Sequence, residues 1–201
     1  TLAVDTADDT GNVYIGSAIA TADVAVLDAT FNDFETINLN ASGLAATQTH
    51  TFAEFGGADL TTLNVTGTRV TITAWNGSTK LTTIDATGVG KFIMTAANPA
   101  GALYPDTITG SPGDDTLGGG AAASVIKGGA GADTITGNAG GDTLWGEDGA
   151  DIITGGAGTD NIDGGAGNDY IYTGTTLAHF EDLAVAETID GGAGVDVLFF
   201  N

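Results

Sequence analysis

From residue 101 onward, apolar residues recur every nine positions. With units starting at 101, 110, 119, 128, 137, 146, 155, 164, 173, 182 and 191, the eighth position is apolar in all eleven: Ile108, Leu117, Ile126, Ile135, Leu144, Ile153, Ile162, Ile171, Phe180, Ile189 and Leu198. The first position is Gly in nine units, and the sixth is Asp in eight (Asp106, Asp115, Asp133, Asp142, Asp151, Asp160, Asp169, Asp196). One inward residue flanked by outward ones predicts a short strand at positions 7–9, because side chains alternate faces. The six residues before it form a turn, where glycines supply backbone angles that other residues resist. Two units then make one coil of a flattened solenoid, and units eighteen residues apart stack at about 4.8 Å.

The first hundred residues carry a looser version of the same pattern. FETINLNAS (34–42), LTTLNVTGT (60–68), LTTIDATGV (81–89) and DTITGS (106–111) align Ile37, Leu63, Ile84 and Ile108, which lie 26, 21 and 24 residues apart. This spacing predicts coils of a parallel β-solenoid running in register into the nine-residue repeats. ADVAVLDAT (22–30) reads as a still earlier coil. The competing reading is an antiparallel sandwich of short Thr/Val-rich strands. The expected organisation is therefore all-β, with a Thr/Ala/Val-rich solenoid over 1–100 and a roll over 101–201. Within the roll, TTLAHFEDLAVAE (175–187) lacks the Gly turn signal and predicts a short helix capped by Thr175 or Thr176.

Charge sharpens this picture. Residues 1–100 hold 10 acids and 3 bases, residues 101–201 hold 16 acids and Lys127 alone, and together they give −22. Such acidity argues against nucleic acid and anionic membranes as partners. No apolar run is long enough to cross a membrane. Without cysteines, disulfides cannot supply stability. The acids stand at fixed turn positions, so stacking sets the Asp of one turn beside the Asp of the next. At one strand spacing these like charges repel unless a cation sits between them. Carboxylate and carbonyl oxygens in a flexible cage select calcium.

The units GGAGADTIT (128–136), GNAGGDTLW (137–145), GEDGADIIT (146–154), GGAGTDNID (155–163) and GGAGNDYIY (164–172) resemble the RTX calcium-binding nonapeptide GGxGxDxUx. The resemblance implies a right-handed parallel β-roll. Each ion would take the carbonyls of positions 2 and 4 and the Asp of a lower turn, with the carbonyls of positions 1 and 3 and the Asp of the upper turn. It implies at least four ions. Along one edge, the first uses Ser111, Gly113, Asp115, Gly128, Ala130 and Asp133. The second uses Gly129, Gly131, Asp133, Gly146, Asp148 and Asp151, and the third Glu147, Gly149, Asp151, Gly164, Ala166 and Asp169. On the opposite edge one ion uses Asn138, Gly140, Asp142, Gly155, Ala157 and Asp160. Ser124 weakens the sites between Asp106 and Asp142, Ala178 removes a carboxylate above Asp160, and Glu187 is expected opposite Asp169 as a poorer site.

Thr-rich LTTLNVTG coils followed by such nonads also resemble bacterial S-layer proteins and related large surface proteins exported by type I secretion. This implies a calcium-locked structural module at the cell surface, exported without an N-terminal signal peptide, and partnered by itself, other surface proteins or cell-surface polysaccharide. A chain opening at Thr1 is expected to be a piece of a larger protein. The alternatives are an RTX module of a secreted enzyme (polysaccharide epimerase or lyase, protease or lipase) or of an adhesin. No enzyme activity is expected of the chain itself. His50 and His179 stand in no zinc-like spacing, and no GxSxG is present. Arg69 with Trp75 offers a carbohydrate platform or, more simply, a strand-edge charge. An ice-binding Thr array is disfavoured, because the stacked outward pairs Thr107/Thr109, Val125/Lys127, Thr143/Trp145 and Asn161/Asp163 are irregular.

Overall fold

All strands pair in parallel. The computed structural model describes residues 10–14, 24–30, 34–41, 50–56, 59–73, 81–94, 107–174 and 188–200. One sheet holds, in spatial order, β1 (Thr10–Tyr14), β3 (Thr36–Ala41), β5 (Thr62–Gly67), β7 (Thr83–Val89), β9 (Thr107–Thr109), β11 (Val125–Ala130), β13 (Thr143–Asp148), β15 (Asn161–Asp163) and β17 (Thr188–Asp190). The other holds β2 (Val24–Thr30), β4 (His50–Gly56), β6 (Val70–Ile72), β8 (Phe92–Met94), β10 (Thr116–Gly118), β12 (Thr134–Ala139), β14 (Ile152–Ala157), β16 (Tyr170–Tyr172) and β18 (Val197–Phe199). Successive strands alternate between the sheets, so the chain winds as a parallel β-solenoid, with nine strands on each side among the described residues. The antiparallel sandwich is excluded.

Register follows the apolar columns. Ile37 pairs with Leu63, Leu63 with Ile84 and Ile84 with Ile108, so both halves share continuous sheets. The earlier coil read at 22–30 contains β2, which pairs with β4. Strand length departs from expectation. β11 to β14 run six residues, through positions 7–9 and on into positions 1–3 of the following unit. The pairs Gly129↔Glu147, Ala130↔Asp148 and Asn138↔Gly156 carry the ladder into what the sequence reads as turn.

The core narrows along the axis. In the first sheet the second inward position passes from Leu39 to Val65, then Ala86, then Gly110 and Gly128, all buried. In the second sheet, buried Val70 and Phe92 pair in register. One coil later the equivalent position is Asp115, whose Oδ1 accepts the Phe92 N–H at 2.5 Å. Each roll coil thus gives up apolar burial worth about 1.5–3 kcal/mol per large side chain. A glycine and a carboxylate stand in its place. The column Ile108, Ile126, Leu144 and Ile162 remains, at 1 % exposure or less.

The last coil breaks the eighteen-residue step. Gly156 N–H still donates to the Thr173 carbonyl at 3.0 Å. Thereafter Asn161 pairs with Thr188 and Tyr170 with Val197, a step of 27. The step is nine residues longer than in the preceding roll coils, and the described roll continues from Thr188. Asp196, not Glu187, therefore comes opposite Asp169. Glu187, Ala178, Asp106, Trp75 and His179, and the helix expected over 175–187, lie outside the described residues. On the final coil Leu198 is 39 % exposed, against 1 % for Ile171 beneath it. Phe199 stacks on Tyr172 with ring centroids 4.5 Å apart.

Candidate metal centre

The turns that lead from the first sheet to the second stack into a column of carboxylates. Asp115 N–H donates to Asp133 Oδ1 (2.7 Å), Asp133 N–H to Asp151 Oδ1 (2.8 Å), Asp151 N–H to Asp169 Oδ1 (2.8 Å) and Asp169 N–H to Asp196 Oδ1 (3.0 Å). On the opposite edge Ser124 N–H donates to Asp142 Oδ1 (2.8 Å) and Asp142 N–H to Asp160 Oδ1 (2.9 Å). Each aspartate thus uses one oxygen to hold the backbone of the turn before it. The repeat of Asp at position 6 is the sequence form of this ladder.

The second oxygen is the informative one. Oδ2 of Asp133, Asp142, Asp151, Asp160 and Asp169 is buried and has no hydrogen-bond partner. A buried, unsatisfied carboxylate oxygen is costly, and the cost is relieved by a cation. Position 1 is glycine because this oxygen occupies the space a side chain would need. A Cβ on Gly146 would collide with Asp151 Oδ2 and the Gly164 carbonyl, and one on Gly128 with Asp133 Oδ2 and, at 2.7 Å, the Gly146 carbonyl. The carboxylate of one turn and the position-1 carbonyl of the next therefore face one small space. Among the described residues no three His, Cys, Asp or Glu side chains cluster as a metal site. Each turn pair brings two carboxylates, and its other donors are backbone carbonyls. Such an all-oxygen set suits calcium and not zinc.

The turn backbone supports that reading. Positions 2 and 4 adopt positive φ: Gly129 (113°), Gly131 (111°), Asn138 (76°), Gly140 (117°), Glu147 (73°) and Gly165 (96°). Alternating left-handed residues turn successive carbonyls to one side of the loop. Position-4 N–H groups donate to position-3 carbonyls of the next turn, Gly131 to Asp148 (2.8 Å), Gly149 to Ala166 (2.7 Å) and Gly140 to Ala157 (2.8 Å). Ala166 N–H donates to the Glu147 carbonyl at 2.6 Å. These carbonyls keep one lone pair each. Glu147 is the costly member, since a side chain in the left-handed region is strained by about 1–2 kcal/mol. Glu147→Gly is expected to raise the thermal midpoint of the calcium-loaded protein by about 2–4 °C, measured by differential scanning calorimetry.

Of the four expected sites, the second, the third and the one on the opposite edge are brought together with orphaned Asp oxygens in both turns. The first stacks as expected, but Asp115 is satisfied by the protein. Its Oδ2 accepts Ser111 N–H (2.5 Å), and its Oδ1 accepts Ser111 Oγ (2.7 Å) as well as Phe92 N–H. Ser124 closes its turn similarly, donating from Oγ to the Ala122 carbonyl at 3.3 Å. The sequence reading missed one further pair of turns, Gly165, Gly167 and Asp169 with Gly191, Ala193 and Asp196. They are joined by Gly167 N–H to Ala193 O and Ala193 N–H to Gly165 O, both 2.7 Å. The intact motif GGAGVDVLF (191–199) was its signal.

Electrostatics agree with a site suited to a cation. Burial pushes Asp133 up to about 7, opposed by the Asp115 N–H bond and assisted by the charges of Asp115, Asp151 and Asp114. Burial likewise raises Asp142 and Asp151 to about 6, and raises Asp115, Asp160 and Asp169. A carboxylate whose folded pKa lies above its unfolded value stabilises the fold only while protonated. Without metal, that stability is present below about pH 4 and is lost as pH rises towards 7. Dialysed, calcium-free protein should hold more β structure by circular dichroism at pH 4.5 than at pH 7.5. Calcium binding should run the other way and weaken as the ligands protonate.

A family model for the RTX calcium-binding nonapeptide repeat (4 copies) matches residues 101–126, 109–144, 118–153, 145–175 and 186–201. Residues 101–175 and 186–201 are RTX calcium-binding nonapeptide repeats. Comparison with curated proteins and with solved structures gave no significant match. The gap between the last two matched segments, 176–185, falls between β16 and β17, where the pairing step is 27. RTX repeats bind calcium, and the orphaned aspartate oxygens suit such a cation.

Proposed function

We propose that the chain is a calcium-folded structural module of an extracellular bacterial surface protein of the S-layer type, and that it carries no catalysis of its own. The observation that carries this reading is the carboxylate ladder. Its acids are buried, regularly spaced and committed to stacking one turn on the next, an arrangement suited to ions and not to a substrate. At least four ions are expected along the two edges. The Thr-rich coils share continuous sheets with the roll, as a load-bearing rod requires. The exposed Val197, Leu198, Phe199 and Phe200 on the last coil are suited to contact with a further coil or a neighbouring molecule. Calcium is scarce inside cells and ample outside, so a chain of this kind is exported unfolded and folds on arrival. Calcium then neutralises acidic subunits so that they can pack.

Electron microscopy of cells carrying the full-length protein, with and without chelation, tests the role. The reading expects an ordered layer that disperses on chelation. A layer unchanged by chelation, or by deletion of the protein, rules it out. A catalytic domain in the full-length protein would favour a secreted enzyme instead.

A further inference from the structure

The loops joining β5 to β6 and β7 to β8 hold a basic pair outside the ladder of orphaned oxygens, with the Lys91 charge also acting on Asp115 at the ladder's end. Val70 and Phe92 pair in register, so Arg69 and Lys91, each one residue earlier, sit in adjacent coils about 4.8 Å apart along the axis. They are two of the four cationic residues in a chain of net charge −22. Like charges on adjacent strands are destabilising. Both line an open groove of about 470 Å³, together with Thr68, Gly90 and Asp114.

On the residues that line the groove, two buried donors lack acceptors. Arg69 Nε and Thr68 Oγ1 are buried without a hydrogen-bond partner, a cost that an approaching acceptor relieves. A guanidinium edge, a hydroxyl and an ammonium together describe a receptor for an anion. The guanidinium presents its N–H groups as a flat fork matched to a planar carboxylate. Asp114 at the rim, its Oδ1 accepting Ala132 N–H at 2.9 Å, adds negative charge that opposes a doubly charged phosphate more than a singly charged acid. We propose that Thr68, Arg69 and Lys91 form a carboxylate-binding site. Its ligand is a free organic acid such as a uronic sugar, or an Asp or Glu side chain of a second copy of this chain.

Isothermal titration of D-galacturonate into the calcium-loaded chain, in chloride buffer, tests the site. Saturable binding is expected, weakened at least about tenfold by Arg69→Gln and by Thr68→Val, with the bound calcium of both variants unchanged. Should the carboxylate come from a second copy, sedimentation velocity will show self-association that galacturonate and Arg69→Gln both reverse. The proposal is overturned if galacturonate binds wild type and both variants alike. It is equally overturned if galacturonate does not bind and Arg69→Gln leaves the sedimentation profile unchanged. Lys91→Met provides a third variant should one of the others fail to fold.

Discussion

Stripped of calcium at pH 7.5, residues 101–201 are expected to lose their β structure, while the coils around Leu63, Ile84 and Phe92 retain theirs. The difference lies in what each coil buries. The earlier coils place pairs such as Ile37 and Leu39, Leu63 and Val65, or Phe92 and Met94 in the core, all at 3 % exposure or less. A roll coil places one Ile or Leu per strand beside a glycine and a carboxylate. At neutral pH those carboxylates carry charge in a buried column, with orphaned oxygens on Asp133, Asp142, Asp151, Asp160 and Asp169. Neither the remaining apolar column nor the Asp Oδ1 hydrogen bonds offset that repulsion. Calcium at roughly millimolar concentration, the range of extracellular modules, should restore the fold. Hydrogen exchange read by mass spectrometry resolves the two halves. Amides of 125–157 should lose protection in EDTA and those of 62–67 and 83–89 keep it. Unchanged protection throughout would show that the roll stands without metal.

Asp151→Ala is expected to be the most damaging single substitution among the acids. Asp151 holds Asp133 N–H through Oδ1 at 2.8 Å, presents its own N–H to Asp169, and offers an orphaned oxygen between two turn pairs. Asp169→Ala should act alike, since Asp169 stands between the turns 146–151 and 191–196. Removing either takes a ligand from two ions, and the calcium midpoint should rise at least about tenfold, the lower bound for loss of even an outer-shell group. Asp163→Ala is the matched control. Among the described residues its side chain accepts Gly165 N–H at 3.1 Å, and it stands on the outward face of β15. Calorimetric titration should give this variant the wild-type ion count and midpoint. Equal behaviour of Asp151→Ala and Asp163→Ala would mean that the ladder is not the binding element.

Much of this architecture was legible because one inward residue fixes register. Ile37, Leu63, Ile84 and Ile108 could be aligned from the sequence despite unequal coil lengths, and they pair as aligned. The Asp column was legible for the same reason. The step at the last coil was not. A nine-residue repeat satisfies its own columns at any multiple of nine, so Glu187 and Asp196 were equivalent partners for Asp169 until the strand pairing was known. Strand length also escaped, since positions 2 and 4 adopt positive φ and still let positions 1–3 join the ladder. Ser111 could be seen to depart from glycine. That its hydroxyl and N–H close on Asp115 depends on the turn geometry and not on the motif. The nearness of Arg69 and Lys91, 22 residues apart, was hidden by the irregular early coils.

The most direct test of the calcium ladder is long-wavelength anomalous diffraction from crystals grown with calcium. Peaks are expected in a row along one edge, between the turns 128–133 and 146–151, 146–151 and 164–169, and 164–169 and 191–196, with a further peak between 137–142 and 155–160. Each should lie within about 2.3–2.6 Å of an aspartate oxygen. Empty turns, or peaks confined to exposed acids such as Asp148 and Asp190 on the surface, would contradict the account.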